Sequence, residues 1–174
     1  MALFQPDRYF SRISAIDISS DIVGEGITYV LLDVDNTLLS RADHMVPSDV
    51  LRWLSQLRRA NVEACLLSNN FHQNVIDLAE ELDLPIVAKA LKPLPFGFIK
   101  ALRKGRATRD EALMIGDQIS TDIVGAHAVG LRAYLVCPLV EEDLKHTVFI
   151  RNIERAFISD KEPEGANACE TLRS

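Results

Sequence analysis

The chain has 174 residues, 48% apolar and 25% charged, with a formal net charge of −6. That is enough for one domain with a sizeable core, and the acidic balance argues against broad electrostatic binding to nucleic acid or anionic lipid. The three cysteines, Cys65, Cys137 and Cys169, form no CxxC pair and suggest reduced thiols in a cytoplasmic or organelle-interior compartment. His44, His72, His127 and His146 stand at no spacing that zinc uses.

No apolar run approaches the roughly 18 residues needed to cross a bilayer, and Met1 to Ile18 lacks the pattern of a signal peptide. Residues 1–26 read as an N-terminal arm. Its Leu3, Phe4, Tyr9, Phe10, Ile13 and Ile16 either pack on the core or lie at a membrane surface. From residue 27 strands and helices alternate. Ile27 to Asp33 is a short apolar run of the kind buried in parallel sheets. Pro47 and Ser48 open a helix carrying Val50, Leu51, Leu54 and Leu57. Val62 to Leu67 makes a second strand, His72 to Leu82 a second helix, and Ile86 to Ala88 a short third strand. Phe96 to Lys104 is helical, Ala112 to Ile115 a fourth strand, Ser120 to Val129 a helix ended by Gly130, and Arg132 to Val136 a fifth strand. Phe149, Ile150, Ile153, Ala156 and Phe157 suggest one last amphipathic helix, and the polar stretch 159–174 reads as a disordered tail. Residues 27–158 therefore form a three-layer, Rossmann-like α/β domain, a mostly parallel sheet with helices on both faces. In such folds ligands sit beyond the carboxyl ends of the strands.

Each of the first four strands ends in groups suited to phosphoryl transfer. After the first come Asp33, Val34, Asp35, Asn36 and Thr37. Two carboxylates at i and i+2 point the same way on extended backbone. A hard cation such as Mg²⁺ relieves their repulsion; the alternative is a turn with solvated acids. After the second come Ser68, Asn69 and Asn70, a phosphate-binding hydroxyl or a plain helix cap. After the third comes Lys92, a point charge for phosphate or a solvated lysine. After the fourth come Gly116, which lets the backbone turn tightly, then Asp117 and, five residues on, Asp122 in the first turn of a helix, where capping is its alternative role. The weight lies in the joint arrangement, since unrelated explanations would have to coincide at every strand end.

These motifs resemble the haloacid dehalogenase superfamily of aspartate-nucleophile phosphatases. DVDNTL at 33–38 is similar to its first motif, Ser68 to its second, Lys92 to its third and GDQISTD at 116–122 to its fourth. The combination of SNN, KPLPFGF and the opening PDRYFSRISAIDI resembles the YqeG-type group of subfamily IIIA, which includes phosphatidylglycerophosphatases of mitochondria, plants and cyanobacteria. The resemblance implies Asp33 as nucleophile and Asp35 as general acid and base. It implies Asp33, the Asp35 carbonyl and Asp117 as Mg²⁺ ligands, and Thr37, Ser68, Asn69 and Lys92 at the phosphate. Lys92 would also pair with Asp33, and Asp122 would support the metal or orient Lys92.

Many members of the superfamily carry a cap domain, but neither the Leu39–Pro47 gap nor the Ser68–Lys92 gap has room for one. An open site suits a phosphate borne on a large surface. Lys100, Arg103, Lys104, Arg106 and Arg109 form a basic run, either a solvated helix face or a contact for anionic lipid. An anionic phospholipid, phosphatidylglycerophosphate, is the leading expected substrate, met by a peripheral membrane contact. The alternatives are a phosphatase acting on a protein, nucleic-acid or soluble phosphoester, and a non-catalytic interaction module.

Overall fold

In the computed structural model, which describes residues 3–39, 45–139 and 163–165, the five expected strands join a sixth in one wholly parallel sheet. The strands are β1 (Arg8–Phe10), β2 (Tyr29–Leu32), β3 (Glu63–Leu67), β4 (Ile86–Val87), β5 (Ala112–Gly116) and β6 (Arg132–Val136). Their order across the sheet is β1-β6-β5-β2-β3-β4. Helices α1 (Ser48–Arg59), α2 (Gln73–Glu81), α3 (Pro95–Gly105) and α4 (Val124–Ala128) make the crossovers. From β2 the chain builds outward through β3 and β4, then returns to β2's other side with β5. The crevice between β2 and β5 is therefore the topological switch point, where open sheets of this kind hold ligands.

Alternation along each strand divides the core between the two faces of the sheet. Val30 and Leu32 pack with Val50, Trp53 and Leu57 of α1 and with Val75 and Leu78 of α2. Tyr29 and Leu31 pack on the opposite side with Phe98, Ala101 and Leu102 of α3 and Ala126 of α4. The Tyr29 hydroxyl donates to the Ala101 carbonyl at 3.0 Å, and a Cβ at Gly105 would lie 2.2 Å from the Tyr29 ring. Glycine is what lets α3 settle this close to the sheet.

The strand at Arg8–Phe10 falls within the expected arm and pairs in parallel with β6. Three residues are too few to show a period in the sequence. Phe10, Ile13 and Ile16 are buried, and Trp53 donates its indole N–H to the Ile16 carbonyl at 2.9 Å. At these positions the arm belongs to the core and not to a membrane face, whereas Leu3 and Phe4 stay exposed. Of the stretch expected to be disordered, the described residues 163–165 are seated. Ser11 N donates to the Glu164 carbonyl at 2.9 Å and Glu164 N to the Tyr9 carbonyl at 2.8 Å. The expected helix at 149–157 lies outside the described residues.

The basic run takes a different place from the one a site-side contact needs. A crossover helix runs back against its strands, so α3 begins beside the carboxyl edge and ends near the amino edge. Lys104 Nζ accordingly reaches the carbonyl of Ile86, where β4 starts, at 3.3 Å. Arg106 and Arg109 follow at the far end, just before β5.

Candidate active site

The carboxyl tips of β2 to β5 bring the expected residues together. Asp33 follows β2, and its N–H donates to the Ile115 carbonyl of β5 at 2.9 Å, which holds it at the switch-point crevice. The chain then folds back sharply. Asn36 adopts a left-handed φ of 63°, and Leu38 and Leu39 both donate to the Val34 carbonyl. That turn buries Thr37, whose hydroxyl stands 3.4 Å from Asp33 Oδ2. Asp35 is half-buried in the same turn, where its backbone bridges to Leu39.

Lys92 stands on the loop after β4. Its ammonium is buried, in contact with Asp33 Oδ1 and 2.7 Å from Asp122 Oδ1. Burial pulls the Lys92 pKa down, but the charges of Asp122 and Asp33 outweigh it and the net shift is upward; the amine stays protonated. Ser68 is fully buried at the tip of β3 and its Oγ accepts from Asn70 N at 3.0 Å. The expectation that Asn69 touches phosphate meets a different geometry. Its amide grips the Lys92 backbone, with Oδ1 accepting from Lys92 N at 2.7 Å and Nδ2 donating to the Lys92 carbonyl at 3.1 Å.

Gly116 and Asp117 close β5 and lead into a π-helical turn, Ile119–Ile123, that carries Asp122. Gly116 is needed for space and not for a glycine-only turn. A Cβ there would lie 2.3 Å from Asp122 Oδ2, so its absence lets Asp122 fold inward. The two oxygens of Asp122 then divide their work. Oδ2 accepts from Gln118 N at 3.1 Å, capping the turn, while Oδ1 faces Lys92. The capping and functional readings of this residue are both present in one side chain.

One oxygen each from Asp33, Asp117 and Asp122 lies within 4.8 Å of the others. Burial and then the neighbouring charges of Asp33 and Asp122 push the Asp117 carboxyl well above the usual carboxylate range. Burial likewise raises Asp122, against the pull of Lys92, to about 6. Asp117 Oδ1 is buried with no hydrogen-bond partner. Three converging carboxylates, one with an orphaned oxygen, fit a hard divalent cation.

A parallel sheet with this strand order, its acids and lysine meeting at the switch point, is an arrangement suited to phosphoryl transfer. Residues 90–138 match the family model described as HAD-hydrolase-like. The chain is 27% identical to a probable phosphatase, YqeG, of Bacillus subtilis over 162 residues, covering 93% of this chain and 94% of that protein. It is 56% identical over 45 residues to the phospholysine phosphohistidine inorganic pyrophosphate phosphatase of Xenopus laevis, 26% of this chain and 17% of that protein. Its fold is similar to a haloacid dehalogenase-superfamily hydrolase of Ehrlichia chaffeensis, with a TM-score of 0.56 at 16% identity over 76% of this chain and 98% of that one. By sequence the chain is similar to hydrolases of the haloacid dehalogenase superfamily and, over nearly its whole length, to a probable phosphatase.

Proposed function

We propose that this chain is a Mg²⁺-dependent phosphatase, works through an aspartyl-phosphate on Asp33, and acts on phosphatidylglycerophosphate. The observation that carries the reading is the buried contact between Lys92 and Asp33 beside three converging carboxylates. Asp33, Asp117 and the Asp35 carbonyl would hold Mg²⁺, with Asp122 supporting them; when bound, the cation offsets the repulsion between an anionic nucleophile and a phosphate dianion. Lys92 adds a fixed positive charge, since its two carboxylate partners keep it protonated. Ser68, with Thr37 near the attacking carboxylate, would hold phosphate oxygens, and Asn69 sets the position of Lys92.

In the first step a carboxylate oxygen of Asp33 bonds to phosphorus as the bond to the lipid alcohol breaks, and Asp35 gives its proton to the departing alkoxide. In the second, Asp35 takes a proton from water, whose oxygen displaces Asp33 from phosphorus and releases inorganic phosphate. Splitting the hydrolysis this way replaces one difficult displacement with two easier ones.

The substrate reading is supported by the open site, since a single helix and a two-residue strand fill the stretch between Ser68 and Lys92, and by similarity over nearly the whole chain to YqeG. The test is phosphate release from phosphatidylglycerophosphate in mixed micelles with and without Mg²⁺. Release should require Mg²⁺, vanish in Asp33→Asn, and fall by about 10²–10⁴-fold in Asp35→Asn. Robust turnover of a soluble ester beside an inert lipid would remove the substrate while keeping the chemistry.

A further inference from the structure

Beyond the tips of β3 and β4 stand large apolar side chains that the core does not use. Phe71 is 59% exposed, Leu91 49%, Leu94 50% and Phe96 69%. They sit on two adjoining loops. Lys89 N donates to the Asn70 carbonyl at 3.3 Å, and Leu94 N to the Leu91 carbonyl at 2.8 Å. The Lys89 ammonium stands 5.6 Å from the centre of the Phe71 ring. The second loop also carries Lys92, so Leu91, Leu94 and Phe96 share one piece of backbone with the Asp33 contact.

The backbone of that loop is itself unusual. Lys89 has φ 51° and Leu91 φ 58°, the left-handed region that L residues with bulky side chains avoid at a cost of about 1–2 kcal/mol each. Nothing about the turn calls for leucine, because asparagine or glycine would adopt the same backbone more easily. Leu91 instead presents an apolar side chain to the outside in a conformation that costs stability, and such strain collects where a surface has a task.

We infer that Phe71, Leu91, Leu94 and Phe96, with Lys89 beside them, form an interfacial docking surface that seats the open site on an anionic phospholipid layer. The inference rests on the lipid-phosphatase reading and deepens it. A phosphate handled by Lys92 and Asp33 while apolar tips stand on the loop that carries Lys92 and on its neighbour matches an amphiphile, whose headgroup enters the site while its chains remain in the layer. An aromatic ring with a lysine over it suits the boundary between headgroups and chains, where aromatic and snorkelling basic side chains gather. Charge favours an anionic layer through Lys89, whereas the Arg103–Arg109 cluster lies toward the other edge of the sheet.

The test uses the full chain and vesicles of phosphatidylcholine with and without phosphatidylglycerol. In Phe96→Trp the new indole should shift to shorter emission wavelengths and be quenched by brominated chains when anionic vesicles are added. Trp53 is buried and contributes little to that change. The double variant Leu94→Ser, Phe96→Ser should partition about tenfold more weakly or worse, with turnover of p-nitrophenyl phosphate unchanged; a serine at 94 also caps α3. Leu91→Asn should keep or raise the melting temperature while weakening vesicle binding, a pairing that a merely structural leucine would not give. Lipid turnover with no response of the introduced indole to vesicles would overturn the docking surface and leave the substrate standing. Loss of vesicle binding in the serine variant together with an inert lipid would uphold the surface and overturn the substrate. An indole response to neutral and anionic vesicles alike would refute the part given to Lys89.

Discussion

Asn69 illustrates how much one amide can fix. Both of its ends are committed to the Lys92 backbone, so the ammonium's reach toward Asp33 is set from a neighbouring loop. Asn69→Ala should leave the Lys92 N–H unpaired and cost about 1–3 kcal/mol of stability. Its larger effect should be on kcat, with Asn69→Asp, which keeps the acceptor, recovering part of it; equal loss in both variants would deny the amide its positioning role. A second consequence at this scale concerns pH. Without a bound cation, the folded protein holds a proton on Asp122 up to about pH 6, against 3.8 for an ordinary aspartate. The contribution is fully present below 3.8 and is lost as pH rises through about 6. Asp117 shifts in the same direction. Mg²⁺ must displace those protons, so it should raise the melting temperature more at about pH 7.5 than at about pH 5. Thermal melts in EDTA and in Mg²⁺ would check this, and equal stabilisation at both values would count against these acids as ligands.

At the scale of elements, the interior strands were legible because they are short unbroken apolar runs, whereas their order across the sheet was not, since strand–helix alternation is common to several parallel orders. Asp33, Ser68 and Asp117 could be placed at the carboxyl edge for a related reason, since each directly follows such a run, and Lys92 lies on the loop after the third. Other features leave no local trace. The strand at Arg8–Phe10 is stabilised by a partner far along the chain, and three residues carry no period. The grip of Asn69 on Lys92 crosses two loops. The left-handed backbone at Lys89 and Leu91 lacks the glycine or asparagine that usually announces it. Gly116 could be noticed in the sequence, but its reason could not. A tight turn and a close-packed carboxylate both ask for glycine, and only the position of Asp122 distinguishes them. The basic run left its two readings open for a similar reason, because spacing along the chain does not reveal which end of a crossover helix faces the site.

For the whole molecule, β1 is one of the two edges of the sheet, and the described residues 163–165 cover part of it. Arg8 anchors the arrangement. Its Nε donates to Glu164 Oε1 at 3.0 Å, its Nη1 lies 2.8 Å from Asp21 Oδ1, and its guanidinium lies over the Phe10 ring at 4.6 Å. Ending the chain at residue 162 should strip Glu164 from the Tyr9 carbonyl and the Ser11 N–H, lower the melting temperature and promote concentration-dependent self-association, because a bare strand edge recruits other strands. Sedimentation velocity over a concentration series would reveal it, and a monomeric truncation product of undiminished stability would contradict it. Among the described residues no helix is long and apolar enough to cross a membrane.

The pairing of β1 with β6 also sets an order of events during synthesis. Asp7 and Ala133, joined by a hydrogen bond, are separated by 126 positions, so the opening strand leaves the ribosome long before its neighbour exists. Until then Tyr9 and Phe10 have no sheet to lie against, and the nascent chain must carry them uncovered. Contacts this distant in sequence are slow to close, which makes the pairing of β1 with β6 a late act of folding and leaves β1 long at risk of a wrong partner.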